Sequence, residues 1–310
     1  MNLPRLIMLL GALLAYLGAW GQAEPAHSQI ASLTSDAQVK ALVRPFGWEF
    51  EELVLGDSVR SVYQPYARTP FRWRGASWYR TDFDGNRWAD LLVVGRRRDL
   101  PFVFCVLDSG NNRLRIVRNF YHAGEQRQPT ARVVHKRGHA LLAYSAFTRR
   151  LSDAGKLAGR KTQLLTYLGG GFVPYERHPS AHRITAITYT SRLYYHKQHE
   201  TRVRIDSLGN ARLLYRTAAI ADTTFTTAQG QRQLAAAKFA EVKDLLNYVR
   251  FASCSSAYTT SSNHRPHVTL RVTYEGGEKV IEDDSGGGTL GLSQVYNWLE
   301  LLAAPLKAQQ

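Results

Sequence analysis

The chain has 310 residues, 44% of them hydrophobic, enough to bury the cores of two ordinary domains, so disorder does not account for its charge. Lys and Arg number 40 against 25 Asp and Glu, a formal charge of +15. A surplus of that size favours polyanions such as nucleic acid, acidic polysaccharide or an anionic membrane face.

Arg5 precedes an apolar run over residues 6–17, and the small residues Gly21 and Ala23 suit cleavage after Ala23. Residues 1–23 are therefore expected to be a secretion signal, with no retained membrane span. A retained anchor is the alternative, although the run is short for a bilayer. Export to the periplasm, the cell surface or the medium follows from the first reading. Cys105 and Cys254 fall one in each half, where an oxidising compartment could join them. Each also reads as a small core residue, Cys105 within the apolar run 102–107 and Cys254 after an amphipathic helix.

Ser35 or Asp36 can cap a short helix ending near Leu42. Strand-like runs follow at 91–94, 102–107, 114–117, 132–135, 141–147 and 163–168, separated by turns at 108–112, 152–155 and 169–171. Residues 174–179, with two prolines, read as a linker. New strands are expected at 184–190, 201–205, 211–215 and 223–227. Leu234, Phe239, Val242, Leu245, Leu246 and Val249 then share one face of a helix. A hairpin pairs 268–274 with 278–282 across Gly276 and Gly277, and a last helix striped by Leu292, Val295, Trp298, Leu299 and Leu302 is expected to stop at Pro305. The fold class is α+β: a β-rich N-terminal domain, an antiparallel meander over residues 36–176, followed over 183–304 by an α+β sandwich of antiparallel sheet with two helices.

Ion chemistry is written into one stretch, Thr81-Asp-Phe-Asp-Gly-Asn-Arg-Trp-Ala-Asp90, which runs into the apolar residues Leu91-Leu-Val-Val-Gly95. Oxygens at alternate positions of a tight turn, closed by a later carboxylate, suit calcium. Asp82, Asp84, Asn86 and Asp90 are the expected side-chain ligands, with the carbonyl of Trp88 as a further one. The loop resembles the calcium-binding turn of FG-GAP and VCBS-type repeats, which implies a blade-like meander holding one calcium ion. It departs from that pattern at Arg87, where the family has Gly; a side chain there must adopt a left-handed turn.

Over residues 183–302 the order of strands, helix, hairpin and helix, with Ile184-Thr-Ala-Ile-Thr-Tyr-Thr190 and Gly277-Glu-Lys-Val-Ile-Glu-Asp283, resembles the bacterial domain of unknown function 6438. That resemblance implies a fold and an exported context. The family's Cys-x-x-x-Cys-Pro segment is missing, with Tyr194, Gln198 and His199 standing in its place, so no role of those cysteines carries over.

Arginines alternate with apolar residues at 113–118 and 202–205, the pattern of a half-buried strand showing its wet face. Arg96, Arg97 and Arg98 form a denser cluster and are the candidate polyanion site; no nucleic-acid motif accompanies them. His196 with His199, and His264 with His267, could hold a transition metal if their loops meet. His135 and His139 share a basic loop. No nucleophile stands in a recognisable setting, the glycine runs 169–171 and 286–288 lack a following Lys-Ser or Lys-Thr, and Asp283 and Asp284 sit at a strand end. The expected function is that of a non-catalytic envelope protein binding a protein or an anionic polymer, with a secreted hydrolase of dispersed active site as the alternative.

Overall fold

The computed structural model describes residues 28–308 except 56–57, 62–70, 99, 112, 119, 121–125, 150–156, 195–196, 220–223, 260–265 and 285–287. The expected signal at 1–23, the turn at 152–155, and His196 and His264 lie outside the described residues.

Helix α1 (Asp36–Val43) begins where expected: the Ser35 side chain accepts the N–H of Gln38, relieving one of the unpaired first-turn donors. Strands β1 (Leu53–Val54), β2 (Ser58–Ser61), β3 (Phe71–Arg74), β4 (Trp78–Thr81), β5 (Asp90–Arg97), β6 (Leu100–Asp108) and β7 (Leu114–Val117) follow. The first sheet runs β1-β5-β6-β7 with β4 also paired to β5, while β2 and β3 form a separate two-stranded ribbon. Leu91, Leu92, Val93 and Val94 are all fully buried. An uninterrupted apolar run is what a strand covered on both faces requires, since successive side chains point to opposite sides. Leu91 and Val93 pack with Val39, Val43 and Phe50 beneath α1; Leu92 and Val94 pack with Leu142, Leu165 and Phe172 of the next sheet.

That next sheet is a meander of β8 (Gln126–Lys136), β9 (His139–Arg149), β10 (Leu157–Leu168) and β11 (Gly171–Pro174). Its tight turns place consecutive residues at positive φ: Arg137 (52°) with Gly138 (80°), and Gly169 (59°) with Gly170 (88°). This backbone twist matches the strands it joins. His135 and His139 thus lie at one hairpin end, on β8 and β9. β11 was not among the expected strands. It is short and ends at a proline, so it carries almost no periodic signal.

The third sheet has seven strands in the order β15-β14-β13-β12-β17-β18-β16: β12 (Ile184–Tyr194), β13 (Lys197–Ile205), β14 (Asn210–Ala219), β15 (Thr226–Gln233), β16 (Ala257–Tyr258), β17 (His267–Tyr274) and β18 (Gly277–Asp283). All its pairings are antiparallel except β16 with β18. Helices α2 (Ala236–Tyr248) and α3 (Leu290–Lys307) cover one face, burying Ile187, Val203, Leu270 and Val272 against Val242, Leu245, Val295 and Leu299. They approach closely where Gly291 meets Val249; a Cβ on Gly291 would lie 2.7 Å from Val249 Cγ1. The molecule is therefore β-rich, with largely antiparallel sheets and three α-helices among the described residues.

The segment 175–179 of the expected linker is neither helix nor strand; within it Glu176 N donates to Tyr248 Oη of α2, and just beyond it Asn247 accepts Ser180 Oγ and His182 N and donates to the His182 carbonyl. Two local expectations are corrected. Pro305 does not stop α3, which continues to Lys307, because the first residue whose carbonyl loses a partner, Leu301, faces solvent. The strand expected at 223–227 is β15, which runs on to Gln233; its polar sequence fits an edge strand. The fully buried Val173 of β11 belongs to the core beneath α2 and α3, and Leu290 of α3 to the core between the first two sheets.

Candidate functional site

Thr81 pairs with Asp90 at the mouth of the β4–β5 hairpin, so the acidic residues between them crowd one turn. Asp82 anchors it, accepting the backbone N–H groups of Gly85 (2.7 Å), Asn86 (3.2 Å) and Arg87 (2.8 Å). Asp84 accepts from Asn86 through N (3.2 Å) and Nδ2 (3.1 Å). Asn86 accepts the N–H of Trp88 at 2.7 Å and donates to the Asp108 carbonyl at 2.8 Å. The chain reverses at Gly85 and Arg87, with φ of 75° and 72°. Arg87 thus takes up the left-handed conformation expected of it, at a cost of about 1–2 kcal/mol for an L side chain.

Asp90 is fully buried; its two oxygens accept Phe83 N at 2.7 Å and Asp108 N at 2.9 Å, tying the turn to the end of β6. Burial, reinforced by Asp84 and Asp82, pushes its pKa up to about 7, and burial also raises Asp84. One oxygen from each of Asp82, Asp84 and Asp90 lies within 4.8 Å of the others. Arg80, a candidate to neutralise them, instead donates to the Ala31 carbonyl and lies over the Trp78 ring, and Arg87 is exposed. Among the described residues no Lys or Arg forms an ion pair with these three carboxylates. The donor set fits a hard cation, because a carboxylate oxygen that accepts one N–H keeps a further lone pair. Asn86 fits less directly, its oxygen being turned to Trp88. The Trp88 ring packs on Gly110, whose φ is +84° and where a Cβ would stand 2.9 Å from Trp88 Nε1.

The arginine cluster is differently engaged. Arg98 grips Glu52 with Nε (2.8 Å) and Nη2 (3.0 Å), Arg97 reaches the same carboxylate at 3.4 Å and stacks on Trp48 at 4.1 Å, and Arg96 stands opposite Val54 in the β1–β5 ladder. Two of the three cations are thereby shared with an acid that the sequence did not connect to them.

Of the two histidine pairs, the described members His199 and His267 do not come together. His199 turns inward, its Nδ1 2.9 Å from Tyr215 Oη, whereas His267 stands on the opposite face, 2.6 Å from Asp284 and 3.3 Å from Glu282. Asp82, Asp84 and Asp90 are the one group of metal-ligating side chains clustered closely enough for an ion among the described residues. Cys105 and Cys254 are both free, Cys105 buried in the core between the first two sheets and Cys254 against that beneath α2 and α3.

On the face of the third sheet away from the helices, strand register builds rows of side chains that are polar but for Leu214. Arg271, Thr188, Arg204, Arg212 and Gln231 form one; Thr269, Thr190, Arg202, Leu214 and Gln229 the next; His267, Arg192, Glu200, Arg216 and Thr227 a third. Glu200 is shared by Arg192 (2.9 Å), Arg202 (2.7 Å) and Arg216 (3.8 Å), while Arg271 pairs with Glu278 at 2.6 Å. A shallow groove of about 580 Å³ runs along Thr188, Arg204, Arg212 and Gln231.

No family model matches this chain, and neither does any curated protein.

On the other face, between α3 and the sheet, a cavity of about 400 Å³ is lined by Tyr189, His199 and Tyr215 of the strands and Glu300 and Lys307 of the helix. Glu300 accepts from Tyr189 Oη (2.9 Å), Thr201 Oγ1 (3.2 Å) and Lys307 Nζ. Sequence reasoning found neither the cavity nor the arginine rows as sites. The alternation at 202–205 marks which side chains are wet, but only the strand order says which arginines become neighbours.

Proposed function

We propose that the chain is an exported, non-catalytic binding protein that takes a protein or an anionic polymer on its sheet surfaces, and that a calcium ion held by Asp82, Asp84, Asn86, Asp90 and the Trp88 carbonyl locks its N-terminal half. The observation that carries the binding reading is the helix-free face of the seven-stranded sheet, where six arginines stand in register over the strands. A positive sheet face attracts polyanions over a Debye length and gives way to salt. The loop and C-terminal resemblances supply the calcium and the exported context. No helix among the described residues is long and apolar enough to cross a membrane.

Two measurements test this. Mass spectrometry of protein from an envelope fraction should find a mature N-terminus near Glu24; intact Met1 on cytosolic protein would remove the export reading. Retention on an immobilised polyanion should weaken steeply with salt and exceed retention on uncharged dextran. Salt-insensitive retention would reduce the arginines to solvated surface. Arg96→Ser, Arg97→Ser and Arg98→Ser together should lower retention less than changes on the large sheet, since Glu52 already shares two of those cations.

The cavity with His199, Tyr215 and Glu300 favours a second reading, a secreted hydrolase. Hydrolysis of an ester or glycoside panel by the wild type, lost in His199→Ala with folding intact, would move the assignment there.

A further inference from the structure

On the open face of the large sheet, Arg204 and Arg212 are directly cross-strand partners. Side chains so placed have Cβ atoms about 5 Å apart, and like charges there repel. Their neighbours find relief in acids: Arg192, Arg202 and Arg216 in Glu200, and Arg271 in Glu278. Arg204 and Arg212 form no ion pair among the described residues. Asp206, whose charge Arg212 does feel, spends its carboxylate on its own turn, accepting Leu208 N, Asn210 N and Asn210 Nδ2. Two adjacent, exposed guanidinium groups thus stand together in a groove.

We propose that the Arg204–Arg212 pair is the anchor of a site for a carboxylate-bearing polysaccharide, a chain of uronic acid residues laid along that groove. This rests on the reading of the protein as a polyanion binder and names its site and ligand class. Guanidinium groups match a carboxylate through paired N–H donors. On either side stand neutral hydrogen-bonding side chains, Thr188 and Thr190 on β12 and Gln229 and Gln231 on β15. Charged groups interleaved with hydroxyls are the ligand chemistry that such a surface meets. The groove-lining residues include no aromatic ring, so the stacking platform that single-stranded nucleic acid uses is not built into it.

The test uses the full mature chain and polygalacturonate as probe, with galacturonate monomer, heparin, dextran and an oligodeoxynucleotide alongside. Wild type should bind polygalacturonate in a salt-dependent way and bind the monomer far more weakly. Arg204→Ser with Arg212→Ser should weaken the polymer by about tenfold or more without lowering the unfolding midpoint, because the pair repels in the free protein. Arg212→Glu sharpens the contrast: it creates a cross-strand ion pair with Arg204, so the midpoint should rise while binding is lost. Polygalacturonate binding that survives both changes but fails in the Arg96, Arg97, Arg98 triple variant overturns this site and leaves the wider reading standing. Retention on heparin without retention on polygalacturonate would assign the site to sulfate groups and overturn the unbroken uronate chain as its ligand; retention on neither overturns both. Tighter binding of the oligonucleotide through Arg204 and Arg212 overturns the polysaccharide assignment. Monomer binding as tight as polymer binding would make the pair a site for free carboxylates and overturn the extended ligand.

Discussion

Asp90 concentrates the conflict in the acidic turn, since it is sealed from solvent, accepts two backbone N–H groups and faces two other carboxylates. In calcium-free protein its pKa lies near 7 against an ordinary 3.8, chiefly through burial. Between those values the folded chain keeps a proton that the unfolded chain has released. Stability should therefore fall as pH rises from about 4 to about 7, by at most about 1.4 kcal/mol per pH unit, and level off above. Calcium needs the ionised carboxylate, so its stabilising effect should grow over the same range, small near pH 5 and large near pH 8 in thermal unfolding at millimolar calcium. Asp90→Asn should abolish both the slope and the calcium response, and a calcium shift that persists in it would remove Asp90 from the ligand set. Arg87 offers a change of opposite sign. Arg87→Gly relieves the left-handed φ of 72° and takes a positive charge from beside the carboxylates. It should raise stability by about 0.5–1 kcal/mol, after the entropy of glycine is subtracted, and tighten calcium. Lower stability with weaker calcium binding would mean that the Arg87 side chain supports the turn.

Elements were legible where burial leaves a pattern in the chain, one-sided alternation or, in β5, an unbroken apolar run. α1 was marked by Ser35 and α2 by Phe239, Val242, Leu245 and Leu246, all of which are buried in α2. In β13 and β14, Val203, Ile205, Ala211 and Leu213 are buried between exposed Arg202, Arg204 and Arg212, so period two was plain. β15 was placed only at its start and β11 escaped, one because its sequence is nearly all polar, the other because four residues hold no period. The tie just past the linker, at Ser180 and His182, escaped for a different reason: it comes from Asn247, distant in sequence, whose role no local pattern discloses. Asn247→Ala leaves His182 N and O without their partner and should cost about 1–3 kcal/mol. Amide exchange should quicken first at His182. Asn247→Asp keeps the acceptor and loses the donor, so it should fall between. Equal stability of all three proteins would show that water replaces these bonds without loss.

At the scale of the whole molecule, what the sequence left open is how its halves meet, since a shared core is a statement about residues far apart in the chain. The Asp82–Asp90 turn sends Phe83 inward, where its ring meets Phe172 of β11 edge-on at 5.2 Å. The next residue, Val173, packs into the core beneath α2 and α3. From the other side Gln294 of α3 donates to the Gly169 carbonyl, and it lies so close to β11 that a Cβ on Gly171 would collide with its Oε1. β11 is thus a narrow strap with the acidic turn on one side and the C-terminal helix on the other. A cation in the turn should then protect both halves: unfolding should be a single transition that calcium shifts as a whole, with slower amide exchange in β11 and the first turn of α3. Phe172→Ala removes a fully buried ring from the strap and should cost about 3–5 kcal/mol. It should also split the transition, leaving calcium to move only the N-terminal step. Two transitions in the wild type, with calcium confined to the first, would show that the halves fold independently and that the strap transmits nothing.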